Sequence, residues 1–256
     1  MRIVMIGSGN TASVLARKIK TAGHEIIQVF SRQFSHAEEL ADELGCEATS
    51  SWVDIKTDAQ LFIVAISDSA ITQLSKNWHC EKGVVVHTAG AVSKEALQKV
   101  ARNYGVLYPL QTLRKERRDY DNIPLLTDAN NEDTLALLTD FAETISSTVR
   151  LADDAYRMHL HVAAVVVNNF TNHLYTLAES YCTSNGVSFA LLKPLILETA
   201  ERLDQFAPAS VQTGPAYRGD IETVAKHLQL LQEHPSLLSL YQQLTKSIRG
   251  NVAMAD

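Results

Sequence analysis

The chain has 256 residues, 46% of them hydrophobic and 20% charged, with a formal net charge of −6. Acidic and basic residues are interleaved, which excludes the clustered basic surface of a nucleic-acid footprint, and no apolar run reaches the ~20 residues that cross a bilayer. The three cysteines, Cys46, Cys80 and Cys182, are far apart and lack metal-ligand spacing, so the sequence predicts no metal site, no disulfide framework and a reducing, cytoplasmic compartment. The first residues run straight into an apolar stretch, so no signal peptide is expected.

That stretch, Ile3-Val4-Met5-Ile6, leads into Gly7-Ser8-Gly9-Asn10-Thr11-Ala12, then a helix-compatible run from Thr11 to Ala22 and a second apolar run from Glu25 to Phe30. Strand, glycine turn, helix and strand within ~30 residues are the context that makes G-x-G-x-x-G/A a dinucleotide site. Gly7 allows the tight turn, Gly9 leaves the backbone bare for a pyrophosphate, and Ala12 keeps helix and strand close. The helix N-terminus offers unpaired N–H groups and partial positive charge to the phosphates. A structural turn that binds nothing is the bland alternative. The second strand ends in Ser31 and Arg32 where a free ribose usually meets a carboxylate. An Arg fork and a hydroxyl suit a 2′-phosphate, so the expected cofactor is NADP(H), with an ordinary solvated Arg32 as the alternative.

Strand-like and helix-like runs alternate over the first ~150 residues, which predicts a doubly wound parallel sheet. Ser35 is placed as the cap of a helix ending at Leu44, with Gly45 as its stop. Leu61 to Ile66 reads as a strand buried on both faces. Ligands in such sheets lie beyond the strands' carboxyl ends, so Ile66, Ser67 and Asp68 are candidates to flank the cofactor, although Asp68 or Ser69 fits helix capping as well. The strand Val84 to Val86 ends in small residues, among them Ala89 and Gly90, which leave room for a nicotinamide; a plain turn before a helix from Ser93 to Tyr104 explains them equally. A strand from Val106 stops at Pro109. The charge run Arg114 to Asp121 is either a solvated loop or a mobile lid. Ile123 to Thr127 and Ser147 to Leu151 read as strands at the sheet edge, around a helix from Glu132 to Ile145.

After Asp153 strand signals give way to helices, which sets a domain boundary near residue 152: a nucleotide-binding domain over 1–152 and a helical substrate or dimerisation domain over 153–256. A helix from Asp154 to Thr183, taken at 100° per residue, places Val162, Val166, Phe170, Leu174, Leu177 and Tyr181 on an apolar side. Arg157, His161, Asn168, Asn172 and Glu179 fall opposite, flanked by Asn169 and His173. A solvated face explains this stripe, but Asn and His also suit the wall of a cleft. His161 is the leading acid–base candidate. A helix from Leu191 to Gln205 and the island Gln212-Thr213-Gly214-Pro215-Ala216-Tyr217-Arg218-Gly219-Asp220 follow, the latter either a substrate loop in which Arg218 and Asp220 pair, or a turn and N-cap. Helices from Ile221 to Gln232 and Leu237 to Ile248 complete the chain.

The runs GSGNTA, YPLQT, HVAAVVVNNFTNHLY, KPLILET and QTGPAYRGD resemble, over nearly the whole chain, bacterial proteins that join an NADP-oxidoreductase-type Rossmann domain to a C-terminal domain of unknown function, number 2520. The resemblance implies an all-α C-terminal domain like that of 6-phosphogluconate dehydrogenases. More distantly the chain is similar to pyrroline-5-carboxylate reductases, which implies Thr213 and Gly214 near the substrate and a homodimer through the helical domain. In the first domain only it is similar to deazaflavin-dependent NADP oxidoreductases. Related hydroxyacid dehydrogenases carry a Lys four residues before an Asn on the long helix; here Val165 precedes Asn169, so that scheme is not expected. Many relatives have His where this chain has Tyr108, which sets that position aside.

The expected function is therefore an NADP(H)-dependent oxidoreductase that transfers hydride to or from a small C=N or C=O compound. His161 is the proton donor, with Asn169, Asn172, Thr213 and Arg218 positioning the substrate. A non-catalytic NADP(H)-binding sensor is the alternative; a metal enzyme using His159, His161 and His173 is weaker, since His159 and His161 point to different helix faces.

Overall fold

The computed structural model describes residues 1–252. The chain divides into two compact units, Met1–Val165 and Val166–Asp256.

In the first unit, β1 (Arg2–Ile6), α1 (Asn10–Thr21), β2 (Glu25–Phe30), α2 (Phe34–Leu44), β3 (Glu47–Thr49), β4 (Leu61–Val64), α3 (Asp68–Ile71), β5 (Cys80–His87), β6 (Ala101–Pro109), β7 (Leu125–Ala129), α4 (Glu132–Ile145) and β8 (Val149–Leu151) build one sheet and its helices. The strand order is β3-β2-β1-β4-β5-β6-β7-β8. All pairings are parallel except β6 with β7, which is antiparallel. Alternate residues of β1 feed two cores, as the pleat requires: Ile3 and Met5 pack among Leu15, Ile19, Val29 and Leu138, whereas Val4 and Ile6 pack among Phe62, Ile71, Leu74 and Trp78. Burial on both faces explains why these strands are continuous apolar runs. Strand order reverses between β1 and β4, the switch point beyond whose carboxyl ends ligands of such sheets lie.

Several local expectations need correction. The helix expected from Ser93 to Tyr104 is a 3-10 turn, Lys94–Leu97, capped by Ser93, and then the first half of β6. Ala101 and Asn103 to Val106 are claimed by pairing with β5, which overrides local propensity. Gln33, not Ser35, stands at the start of α2, while Gly45 ends it in the left-handed region, φ +69°. Asp68 lies inside α3, with Ser67 before it and no side-chain cap bond. The helix Glu132–Ile145 begins where Asn131 accepts from the Thr134 N–H.

Beyond β8, α5 (Asp154–Ala164) closes the first unit, capped by Asp153, which accepts from the Tyr156 N–H. A π-helical stretch, Val165–Phe170, starts at the last residue of the first unit, and the second unit continues with α6 (Thr171–Ser184), α7 (Lys193–Glu201), α8 (Ile221–Leu230) and α9 (Pro235–Val252). Residues 154–184 are thus not one regular helix. The wider turn of the π stretch moves each later residue out of the phase assumed at 100° per residue, so the apolar side and polar stripe expected along the whole span do not continue as drawn. No described helix is long and apolar enough to cross a membrane.

Candidate functional site

The glycine turn is held from both neighbouring strands. Gly7 N–H donates to the Phe30 carbonyl at 2.8 Å, and Ala65 N–H donates to the Ile6 carbonyl at 2.8 Å. Gly7 has φ +123°, and a Cβ there would lie 2.2 Å from the Ala65 carbonyl oxygen, so only glycine fits. At Gly9 a Cβ would meet nothing within 4 Å. Gly9 is the N-cap of α1 and supplies no side-chain cap, and the first turn carries no acidic residue. The leading N–H groups of α1 therefore face an uncrowded, electropositive surface. Ala12 is wholly buried. Ser8 and Thr11 are partly exposed, whereas Asn10 already accepts from the Lys115 N–H at 3.1 Å.

Ser31 is half-buried and its N–H donates to Thr49 O. Arg32 is exposed at the end of β2 and enters no ion pair among the described residues. These features fit a dinucleotide phosphate: a bare backbone at a helix N-terminus, and a free guanidinium where a carboxylate would otherwise stand.

The charged loop 114–121 is tied down rather than free. Arg17 forks onto Glu43 at 2.7 and 2.9 Å and donates to Lys115 O at 2.6 Å; Lys115 reaches Glu39 at 3.1 Å and Arg118 reaches Glu43 at 3.5 Å. Arg117 stacks on Tyr120, 4.7 Å from its centroid.

At the ends of β5 and β6 the sequence reading needs its largest correction. Tyr108, set aside there, meets His161: its hydroxyl lies 3.2 Å from Nδ1, and the rings stand edge-on. The Tyr108 ring lies against Gly90, where a Cβ would be 2.7 Å from Cζ. The space expected over Gly90 is thus filled by an aromatic ring. Burial, and then the charge of Asp68, push the phenol up from its ordinary value, which keeps it protonated at neutral pH. Asp68 and Ser67 are exposed beyond β4, with Ile66 half-buried beside them. The available signal was positional: an aromatic hydroxyl one residue before the proline that stops a central strand, at the strand ends where ligands lie.

Arg157 was placed on the polar stripe but is wholly buried. It donates to Ala152 O and Val92 O, each at 3.0 Å, and pairs with Asp154 at 2.5 Å and Asp128 at 3.4 Å. Asp128 also holds Lys94 at 2.9 Å. Burial opposes charge on Asp154, but hydrogen bonds from Ser93 and Arg157 outweigh it and hold the carboxylate below its usual range. Beside this network, His87 is fully buried. Its Nδ1 accepts from Ala89 N–H at 3.2 Å and Nε2 faces Ser93 O at 3.3 Å. Burial, reinforced by Arg157, pushes its pKa down to about 4, so it is a neutral brace for the turn 88–93.

The remaining candidates lie in the second unit. Asn169 and Asn172 are exposed, as are Thr213 and Arg218; no hydrogen bond joins the two pairs among the described residues. Asp220 does not ion-pair with Arg218; its carboxylate caps α8 by accepting from Thr223 N–H at 3.0 Å. Gly214 and Gly219 take φ +107° and +69°, as the turn requires. The cysteines are free, and burial lifts the thiols of Cys46 and Cys80 to about 11, which makes them poor nucleophiles. No group of three or more potential ligands arranged for a metal, including His159, His161 and His173, occurs among the described residues.

Residues 2–106 match the family model described as NADP oxidoreductase, coenzyme F420-dependent, and residues 123–248 match the domain of unknown function 2520. A Bacteroides fragilis protein with the provisional name NADP oxidoreductase is 37% identical, with 97% of this chain and 98% of that one covered and a TM-score of 0.90. A pyrroline-5-carboxylate reductase from Streptococcus pyogenes is 17% identical, with 98% of each chain covered and a TM-score of 0.64. An imine reductase from Myxococcus stipitatus, solved with NADP+, is 14% identical, with 99% and 95% covered and a TM-score of 0.68. The last two likenesses show the fold alone. No curated protein matches the chain.

Proposed function

The chain belongs to the family that joins an NADP oxidoreductase domain to the domain of unknown function 2520, and on that premise we propose that it is an NADPH-dependent reductase of a small C=N or C=O compound. The observation that carries this reading is the glycine turn: an open backbone at Gly9, on an uncapped helix start without acidic residues, next to an unpaired Arg32. Gly7, Ser8, Gly9, Asn10, Thr11 and Ala12 would hold the pyrophosphate, and Ser31 and Arg32 the 2′-phosphate. Ile66, Ser67, Asp68 and Ala89 would border the ribose and nicotinamide, with the Tyr108 ring standing over Gly90 in that border. Bound there, reduced nicotinamide supplies the hydride.

The protein's part is to orient the reactants and to manage one proton. His161 is the acid–base group at the strand ends. Asn169, Asn172, Thr213 and Arg218 are the substrate-positioning candidates, with a domain boundary near 152 between nucleotide-binding and substrate-binding parts. A homodimer through the helical part is supported by its exposed apolar side chains, among them Val167 at 71%, Leu191 at 79% and Leu195 at 61%. We place the protein in the cytoplasm.

The test is a titration with NADPH and NADH, read by nicotinamide fluorescence. NADPH binds tightly and NADH weakly, and Arg32→Ala weakens NADPH alone by roughly tenfold to a hundredfold, the worth of charge-assisted hydrogen bonds. Binding of neither nucleotide overturns the reading and leaves a structural turn.

A further inference from the structure

We propose that Tyr108, not His161, hands the proton to the substrate, with His161 behind it as the proton's source. The inference rests on the oxidoreductase reading and goes further by ordering the two groups. The contact that carries it is the 3.2 Å approach of the Tyr108 hydroxyl to His161 Nδ1. An imidazole that bears its proton on Nδ1 donates to the phenol oxygen, and the phenol's own hydrogen is then free to point elsewhere.

Three features suit the phenol to this role. Tyr108 is the penultimate residue of β6, which runs parallel to β5, so it sits at the carboxyl edge where ligands of such sheets lie. Its ring is pressed on Gly90 at the end of the adjacent strand, which confines its orientation. The phenol is half-buried and has Asp68 near it, and both conditions favour the neutral, proton-bearing form. His161 lies one helical turn after Arg157, whose buried network anchors α5, so the imidazole is presented from a fixed support.

The step balances as follows. Reduced nicotinamide, when bound, would supply hydride to the substrate carbon, and the π electrons of C=N or C=O would move to the heteroatom. The heteroatom takes the Tyr108 hydroxyl proton, and the phenol oxygen takes the Nδ1 proton of His161. As Nδ1 gives up its proton, Nε2 takes one from solvent, so the ring passes from the Nδ1–H to the Nε2–H tautomer without becoming an anion. Reduction thus ends with Tyr108 restored and no ionised tyrosine persisting.

The protonation of His161 is measurable without turnover. In the full-length protein labelled with ¹⁵N-histidine, the His161 signals are assigned by their loss in His161→Gln. At neutral pH the expected result is a proton on Nδ1 whose resonance moves in Tyr108→Phe. A bare Nδ1 in the wild type overturns the proposal, because the hydrogen bond then runs from the tyrosine to the imidazole. In turnover, Tyr108→Phe lowers kcat about 100-fold with unchanged NADPH affinity, and adding His161→Gln to it costs little more, since the two act as one unit. Full activity in Tyr108→Phe, or losses that multiply, overturns the order proposed. Absence of nicotinamide binding in the wild type overturns the oxidoreductase reading and this proposal together; intact binding with a bare Nδ1 overturns this proposal alone.

Discussion

Arg157 and His161 stand one turn apart on α5, and the sequence offers them as members of one polar stripe, yet the structure gives them opposite environments. Arg157 is sealed in, with carbonyls and carboxylates from three segments around its two Nη atoms, and of its nitrogens Nε alone is without a partner among the described residues. His161 is half-exposed, and among the described residues its imidazole has one hydrogen-bond partner, Tyr108. A charge enclosed by partners holds a fold together, whereas a group with one partner and open valences is free to act on something else. The difference teaches that a stripe of polar residues is not one feature: its chemistry depends on how completely each member is satisfied.

The largest way to sharpen that contrast is to remove the enclosed member. Arg157→Ala leaves Asp128 and Asp154 without their shared cation inside the fold and should cost about 3–5 kcal/mol, read as a shift in the urea midpoint. His161→Ala should stay within about 1 kcal/mol of wild type. Equal losses would erase the distinction.

Next in size is an effect of acid on the brace beside Arg157. His87 titrates at about 4 in the fold against 6.5 ordinarily. Between those values the unfolded chain binds the proton and the folded one does not. Stability is therefore complete above the ordinary value and is lost as pH falls through the window, by about 3 kcal/mol. In His87→Gln that part of the pH dependence should vanish, as measured by denaturation at pH 7 and pH 4.5. An unchanged slope would mean that His87 is not the group responsible.

A smaller perturbation touches the open member. Gly90→Ala forces the Tyr108 ring to give way and should cost about 1–3 kcal/mol as an overpacking change. It should also weaken the contact with His161, visible in the same ¹⁵N signals. An unaltered His161 resonance would show that Gly90 does not set the ring's position.

Much of the first unit was legible because burial on both sheet faces forces continuous apolar strands, and because Gly7, Gly9 and Ala12 announce their turn. The helix Glu132–Ile145 was legible to the residue, since its cap and amphipathic period agree. Ala101 to Tyr104 was not, because Arg102 and Asn103 look no more like strand than helix until β5 claims them. Arg157 was misread because partners that bury it, Asp128 on β7 and the Val92 carbonyl, lie 29 and 65 residues earlier. Tyr108 was passed over because likeness to relatives outweighed its place before Pro109. The π stretch left no signal in a pattern counted at one fixed angle.

One property of the glycine turn has a kinetic side. The Gly7 amide and the backbone of Ala65 are already engaged with the neighbouring strands, and no substituent stands over Gly9. Ordering a loop backbone costs about 1–2 kcal/mol per residue, and here the turn is ordered before any nucleotide arrives. Dinucleotide association should thus proceed as one exponential whose rate rises linearly with concentration, without the plateau that marks a slow rearrangement after encounter.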